Sequence, residues 1–247
     1  MTETVILSET AAQQIEHFDV AIVGAGISGV GGAYHLTTQC PGTSFVVLES
    51  QESFGGTWRT HRYPGTRSDS DLYTFGYRFK PWTSAPIATR AEILDYMGEV
   101  IVENGLHRHI RYRHTISSAH WSSSDKLWTL KGIRTDTGET VRFMASFLWM
   151  CQGYYRHSEG YSPEWSGMKD FKGRIVHPQN WPEDLDYAGK TVVVIGSGAT
   201  AATLIPAISV ECGHVTMLQR SPTFFRTGRN AIPLADELRE LGIGRHR

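Results

Sequence analysis

The sequence predicts an α/β fold made of two β-α-β units, with antiparallel β-hairpins inserted in the first and the second left incomplete. Two short apolar, β-branched runs, residues 18–23 and 191–195, each end in a glycine cluster that leads into a segment with helical spacing. Strand-like runs with turn residues between them occupy residues 110–144. Glycine makes up 25 of the 247 residues, and much of it lies in these clusters.

Each element has its own signal in chain order. Strand 18–23 is followed by a helix over 27–38 and, after a Pro-Gly break, by a strand over 45–49. Residues 53–82 are rich in glycine, proline, arginine and aromatic side chains without a clear period, which predicts a long ordered loop with ligand contacts. Apolar residues at helical spacing predict a helix over 92–104.

The second half begins with the antiparallel hairpins over 110–144 and a continuous apolar strand over 147–151. Residues 154–187 are rich in proline, glycine and aromatic residues and predict a connection between two units. The second unit then follows as a strand from residue 191, a helix over 199–210 with a kink at Pro206, and a strand over 214–218.

Composition excludes several classes of protein. The 24 Lys and Arg residues balance 25 Asp and Glu residues, which disfavours binding to nucleic acid or to anionic membranes. Cys40, Cys151 and Cys212 lie too far apart for a disulfide framework or a C-x-x-C site, so we expect no metal centre. No run approaches the ~18 apolar residues of a membrane span, and residues 1–17 form a polar leader. These features predict a cytoplasmic protein.

The first glycine cluster matches G-x-G-x-x-G through Gly24, Gly26 and Gly29, directly between a strand and a helix; we call residues 24–29 the first cradle. Its glycines allow a tight turn, close approach of a pyrophosphate and close helix packing, while the helix N-terminus faces the anion. Glu49 follows Gly29 by 20 residues, at the end of the next strand. A carboxylate there accepts hydrogen bonds from ribose hydroxyls and repels a 2′-phosphate, so this cradle favours FAD or NAD over NADP. A plain glycine turn is the alternative.

The second cluster, residues 196–201, repeats the pattern with Gly196 and Gly198, followed by Thr200 and by Ala201 in the third position; we call it the second cradle. Arg220 and Ser221 stand where the first unit has its acid. A cation there is the expected partner of a 2′-phosphate, so the second cradle predicts NADP(H), with an ordinary exposed arginine as the alternative. An acidic site followed by a basic one is typical of a flavoprotein that takes hydride from NADPH.

The linker before the second cradle resembles the fingerprint F-x-G-x-x-x-H-x-x-x-W-P of the Baeyer–Villiger flavin monooxygenases. Its matching residues are Phe171, Gly173, His177 and Trp181. Residues 68–74 and 217–223 are most similar to the branch of ethionamide-activating monooxygenases, and the resemblance covers about residues 18–225. The resemblance implies three regions. These are residues 1–152 as the N-terminal portion of an FAD-binding domain, 153–188 as the fingerprint linker, and 189–247 as a truncated NADP-binding domain.

The loop after the first unit also resembles the flavin-contacting loop of that family. Gly56 would let the backbone lie against the flavin, while Thr57 and Trp58 would add a hydroxyl contact and a stacking surface. Asp69 is the expected catalytic carboxylate, placed near the flavin to orient a cation. The alternatives are an ordinary aromatic loop and a surface ion pair. For His177 the resemblance implies a role in coupling the linker to NADPH binding rather than a place in the chemistry.

The resemblance implies an FAD- and NADPH-dependent monooxygenase that uses O₂ to convert a ketone into an ester or to oxidise the sulfur of a thioether or thioamide. A disulfide reductase is disfavoured because no cysteine pair lies near the flavin loop. A flavin-containing N- or S-oxygenase and an inactive FAD-binding remnant stay open. The family's arginine beside the flavin has no counterpart here, so we expect an incomplete enzyme whose uncovered sheet edges favour self-association.

Overall fold

A computed structural model describes residues 15–225 and 227–243. The first 14 residues of the predicted polar leader, residue 226 and residues 244–247 lie outside the described residues. Tertiary contacts divide the chain into two compact units. The first holds the described residues up to Phe54 together with Ile101–Gly153. The second holds Gly55–Val100 together with the described residues from Tyr154 onward.

The first unit is built on a six-stranded sheet with the order β3-β2-β1-β6-β5-β4. Its strands are β1 (Glu16–Val23), β2 (Phe45–Leu48), β3 (Ile110–Arg111), β4 (His114–Ser122), β5 (Leu127–Arg134) and β6 (Thr140–Met150). The first four strands in this order run parallel, and β5 and β4 add an antiparallel hairpin. This arrangement confirms the predicted α/β class with an antiparallel insertion.

The centre of this sheet is formed by β1, which pairs in parallel with β2 on one side and β6 on the other. Ile22 lies opposite Val47 on β2 and Trp149 on β6. All four residues of β2 are buried, as expected for a parallel strand that is covered on both faces. A buried cluster that includes Ala21 and Leu48 continues beneath the hairpin to Phe143.

The prediction of separate strands over 110–144 and 147–151 is wrong in two respects. One continuous strand, β6, pairs antiparallel with β5 through its first half and parallel with β1 along most of its length. The alternating and the continuous hydrophobic patterns lie within one strand because β6 pairs with β5 from Thr140 to Ala145 and with β1 from Phe143 to Met150. The short strand β3 pairs parallel with β2 and therefore belongs to the parallel sheet.

The helices largely follow the predicted positions. Helix α1 (Ile27–Gln39) follows β1, and α4 (Arg90–Glu103) corresponds to the predicted helix over 92–104. The long loop contains two single-turn helices that the sequence did not indicate, α2 (Thr57–Thr60) and α3 (Leu72–Phe75). Among the described residues, no helix is both long enough and apolar enough to cross a membrane.

The second unit contains the parallel pair β7 (Thr191–Ile195) and β8 (His214–Leu218), connected by helix α5 (Ala199–Ile208). Both strands begin and end where the sequence predicts, whereas α5 ends two residues early. A further helix, α6 (Pro233–Glu240), was not predicted, although a proline at its first position is a helix-start signal. The predicted FAD-binding region, residues 1–152, includes Gly55–Val100. The tertiary contacts instead place this segment in the second unit.

Candidate functional site

The first cradle joins the end of β1 to the start of α1. The Gly24 N–H donates to the carbonyl oxygen of Leu48 at 2.8 Å, which fixes the turn on the neighbouring strand. Gly24 has φ +103°, and a Cβ there would lie 2.6 Å from the carbonyl oxygen of Cys151. A Cβ at Gly29 would overlap the carbonyl oxygen of Gly24. Glycine is therefore required at Gly24 by the positive φ and the contact with Cys151, and at Gly29 by the close packing of the helix on the turn.

The N-terminus of α1 is open to an anion. Gly26 is the N-cap residue, with φ −74° and ψ −172°, and no side chain caps the first turn. The N–H groups of that turn and the helix dipole give the cradle a partial positive charge. This geometry suits the pyrophosphate of a dinucleotide.

Glu49 follows β2 and is 5% exposed. Its Oε2 accepts a hydrogen bond from the Ala25 N–H at 2.6 Å, and its Oε1 accepts one from the Gln51 N–H at 2.9 Å. The carboxylate therefore holds the glycine turn in place. Oε1 also accepts from the Ser50 hydroxyl at 3.2 Å, so Oε2 is the oxygen with a lone pair left for a ribose hydroxyl beside the cradle.

Cys151 is a residue of this site that sequence reasoning did not assign to it. Its N–H donates to the carbonyl oxygen of Val23 at 2.8 Å, and its side chain lies next to Gly29. Burial raises the pKa of the Cys151 thiol. The neutral thiol acts as a packing group behind the turn, not as a nucleophile.

The second cradle has the same backbone form. The Gly196 N–H donates to the carbonyl oxygen of Leu218 at 2.9 Å, as Gly24 does to Leu48. Gly198 is the N-cap of α5 with φ −80° and ψ −172°, and again no side chain caps the helix. Ala201 occupies the third position and is buried. A Cβ at Gly196 or Gly198 would meet no atom within 4 Å.

The segment after β8 borders the second cradle. Arg220 and Ser221 are exposed just beyond the carboxyl end of this strand, and Thr200 lies in the first turn of α5. The hydroxyl groups of Ser197 and Thr223 are 2.6 Å apart, which ties the segment after Arg220 to the glycine turn. Sequence reasoning missed Thr223, because 26 residues separate it from its partner.

The loop that resembles a flavin-contacting loop belongs to the second unit. Gly56 has φ +53° and begins the single turn α2, which contains Thr57 and Trp58. Asp69 is exposed, and its Oδ1 accepts a hydrogen bond from the Ser70 hydroxyl at 3.4 Å. Its carboxylate is therefore accessible to a ligand or a cation.

The fingerprint residues pack locally around the linker. A Cβ at Gly173 would lie 2.5 Å from the Phe171 ring, so these two positions are in contact. The Nδ1 of His177 accepts a hydrogen bond from the Gln179 N–H at 3.2 Å. Trp181 packs on Tyr187 with ring centroids 6.0 Å apart and joins the apolar cluster beneath α5.

A histidine cluster that the sequence did not reveal lies between the loop and the linker. The Thr60 hydroxyl is 3.2 Å from Nδ1 of His61 and 3.3 Å from Nδ1 of His157. Burial, together with the nearby charges of His157 and His177, lowers the pKa of His61. The three histidines bring the linker next to the start of the loop. Among the described residues no group of three His, Cys, Asp or Glu side chains could hold a metal ion.

Two family models match this chain. A model of NAD(P)-binding Rossmann-like domains matches residues 22–84. A model described as flavin-binding monooxygenase-like matches residues 84–231, which is more than half of the chain.

Named relatives agree with these matches. The FAD-containing monooxygenase EthA of Mycolicibacterium smegmatis is 54% identical over 91% of this chain and 45% of its own length. The probable FAD-binding monooxygenase AlmA of an Acinetobacter species is 50% identical over 90% of this chain and 44% of its own length. The chain therefore spans about half the length of the curated relatives that it matches.

Solved structures with the same fold include two Baeyer–Villiger-type enzymes. A steroid monooxygenase bound to NADP matches with a TM-score of 0.75 and 31% identity, over 91% of this chain and 43% of that protein. A cyclohexanone monooxygenase bound to ε-caprolactone matches with a TM-score of 0.76 and 26% identity, over 91% of this chain and 44% of that protein.

Proposed function

Since this chain belongs to the flavin-binding monooxygenase-like family, we propose that it binds FAD at the first cradle and NADP(H) at the second. The main support for this proposal is that two cradles with the same backbone form have side chains of opposite charge after their second strands. The first has the carboxylate of Glu49 at the tip of its second strand, and the second has the guanidinium of Arg220 there. Relatives named as FAD-containing proteins and a neighbour solved with NADP support the same assignment.

In this proposal the residues of the first cradle bind and orient FAD. The N–H groups at the start of α1 hold the pyrophosphate, and Glu49 accepts hydrogen bonds from the ribose while it keeps the glycine turn closed. Gly56, Thr57 and Trp58 offer backbone, hydroxyl and aromatic contacts to the flavin. Asp69 is the carboxylate that would orient a cation there. FAD itself would supply the hydride acceptor and the reaction with O₂.

The second cradle would hold the nucleotide that supplies hydride. The N-terminus of α5 faces the pyrophosphate, with Thr200 in its first turn. The guanidinium of Arg220 offers paired N–H donors to a 2′-phosphate, with Ser221 beside it. The hydrogen bond between Ser197 and Thr223 would hold the segment that carries Arg220 at the mouth of the cradle.

We further propose that the substrate is a ketone or a sulfur compound. In the first case ketone, NADPH, a proton and O₂ would give ester, NADP⁺ and water; in the second a thioether would give a sulfoxide with the same co-products. The resemblance of residues 171–182 to the Baeyer–Villiger fingerprint supports the ketone reaction.

Product analysis tests this reaction. The 247-residue chain would be reconstituted with FAD and incubated with NADPH, O₂ and either cyclohexanone or thioanisole, while NADPH, hydrogen peroxide and organic product are quantified together. Lactone from the ketone would support the Baeyer–Villiger reaction, and sulfoxide without lactone would favour the S-oxygenase. If all the NADPH consumed appears as hydrogen peroxide with both substrates, the chain is not a monooxygenase by itself.

Self-association through the second sheet is also proposed. Val193, Ile195 and Leu218 are each more than half exposed on one face of β7 and β8. An apolar sheet face of this kind favours pairing with another chain. Sedimentation at several protein concentrations would detect it, and a single monomeric species at all concentrations would argue against it.

A further inference from the structure

The loop that carries Gly56, Thr57 and Trp58 is packed on helix α5 through Gly65. Gly65 has φ +77°, and a Cβ there would overlap the carbonyl oxygen of Thr203 and lie 2.8 Å from Cβ of Ala207. Both residues belong to α5. Gly189 in the same unit has a similar φ of +67°, but a Cβ there would meet no atom within 4 Å. Gly65 is therefore required by contact with the helix and not by its backbone conformation alone.

Tyr63 holds the same loop on the same helix. It is buried in a cluster with Leu204 and Ile208, both on the inner face of α5. Its carbonyl oxygen accepts from both the N–H and the hydroxyl of Thr66, which closes the turn around Gly65. The turn is thus rigid, and one of its side chains is part of the core beneath the helix.

Three further hydrogen bonds fix the backbone along the loop. The Ser68 N–H donates to the carbonyl oxygen of Ala88 at 2.8 Å, and the Ala88 N–H donates to the Ser68 hydroxyl oxygen at 3.0 Å. The Arg90 N–H donates to the carbonyl oxygen of Thr66 at 3.0 Å. The backbone from residue 63 to residue 68 is therefore held by hydrogen bonds to Ala88 and Arg90 in addition to the contacts of Tyr63 and Gly65 with α5.

We propose that Tyr63 and Gly65 are positioning residues that couple the loop of residues 55–69 to the second cradle, so that a nucleotide bound at the N-terminus of α5 also stabilises this loop against local opening. The inference rests on the proposed function, since it requires NADP(H) at that helix. A ligand that binds α5 only when the helix is folded stabilises every segment that unfolds together with the helix. The contacts of Tyr63 and Gly65 make the loop part of that unit.

Hydrogen–deuterium exchange of the 247-residue chain with and without NADP⁺ tests the coupling. Peptides from α5 report whether the nucleotide binds, and peptides from residues 57–68 report whether the loop responds. Exchange should become at least about fivefold slower in both regions when NADP⁺ is added, the lower end of ordinary coupling between sites. Protection of α5 without protection of the loop would overturn the inference. Absence of protection in α5 would instead contradict the proposed NADP(H) site, and with it the premise of the coupling.

Gly65→Ala and Gly189→Ala form a matched pair for the same measurement. Gly65→Ala should keep the slower exchange of α5 with NADP⁺ but lose most of the slower exchange in the loop. Gly189→Ala carries the same backbone strain without the overlap and should behave as the wild type in both regions. If Gly65→Ala does not fold, Tyr63→Leu serves as the substitute variant. It removes the aromatic ring packed against α5 and should reduce the protection of the loop by NADP⁺. Unchanged loop protection in the folded variants would contradict the roles of Tyr63 and Gly65.

Discussion

At the scale of single residues, we expect Arg220 to determine which nucleotide the second cradle prefers. A guanidinium that faces a 2′-phosphate forms charge-assisted hydrogen bonds worth about 1.5–3 kcal/mol each, which is about tenfold or more in affinity. We expect Arg220→Ala to weaken NADPH binding by at least about tenfold and to leave NADH binding nearly unchanged. Titration of both nucleotides measures this, with Arg156→Ala as the control because Arg156 is an exposed arginine paired with Glu159. Equal affinity of the wild type for NADPH and NADH would contradict the assignment.

His61 makes the stability of the second unit depend on pH. Because burial lowers its pKa below 6.5, the unfolded chain binds a proton that the folded chain does not, and the fold loses stability as pH falls through 6.5 toward the lowered pKa. The contribution is fully present above pH 6.5. His61→Gln should therefore flatten the decrease in melting temperature between pH 7.5 and 5, whereas the exposed His120→Gln should not. If the melting temperature of His61→Gln depended on pH as that of the wild type does, His61 would have the same pKa in the folded and the unfolded chain, which would contradict this prediction.

At the scale of elements, the close approach of α1 to the first glycine turn predicts the effect of one methyl group. Gly29→Ala would force a Cβ against the carbonyl oxygen of Gly24, and overpacking of this kind typically costs about 1–3 kcal/mol. We expect a lower melting temperature and weaker FAD binding. Gly198→Ala is the control for stability, since a Cβ there meets no atom within 4 Å. Unfolding curves would disprove the argument if Gly29→Ala were as stable as the wild type.

The elements that the sequence predicted best are those with a local signal. Strands β7 and β8 begin and end at the predicted residues. An apolar run followed by glycine or by a turn can be recognised from a few consecutive residues. The continuity of β6 was missed because its two halves pair with different neighbours. Helix α6 was missed as well. Arg239 helps to fix it, lying over the Tyr73 ring at 4.3 Å, which is a contact across 166 residues.

At the scale of the whole molecule, the two cradles could be predicted from the sequence, whereas the contacts between distant segments around them could not. Gly24, Gly29 and Glu49 follow from spacing alone, because their roles depend on neighbours along one β-α-β unit. Contacts such as Gly65 with Thr203 and Thr60 with His157 join distant segments, and no periodicity encodes them. The sequence therefore yields a prediction of which residues would contact each nucleotide, and the structure adds how the loop, the linker and helix α5 are joined.

We propose that one chain binds FAD and NADPH at two separate cradles, and the affinities of the wild type and of Glu49→Arg for both cofactors test this claim. Glu49→Arg removes the carboxylate that accepts from the Ala25 N–H and is proposed to accept from the ribose, so FAD affinity should fall by at least about tenfold. NADPH affinity should be retained, which also shows that the variant is folded. The wild type should bind one FAD and one NADPH. A wild type that takes up no FAD on reconstitution, or a Glu49→Arg variant that binds FAD as tightly as the wild type, would contradict the claim.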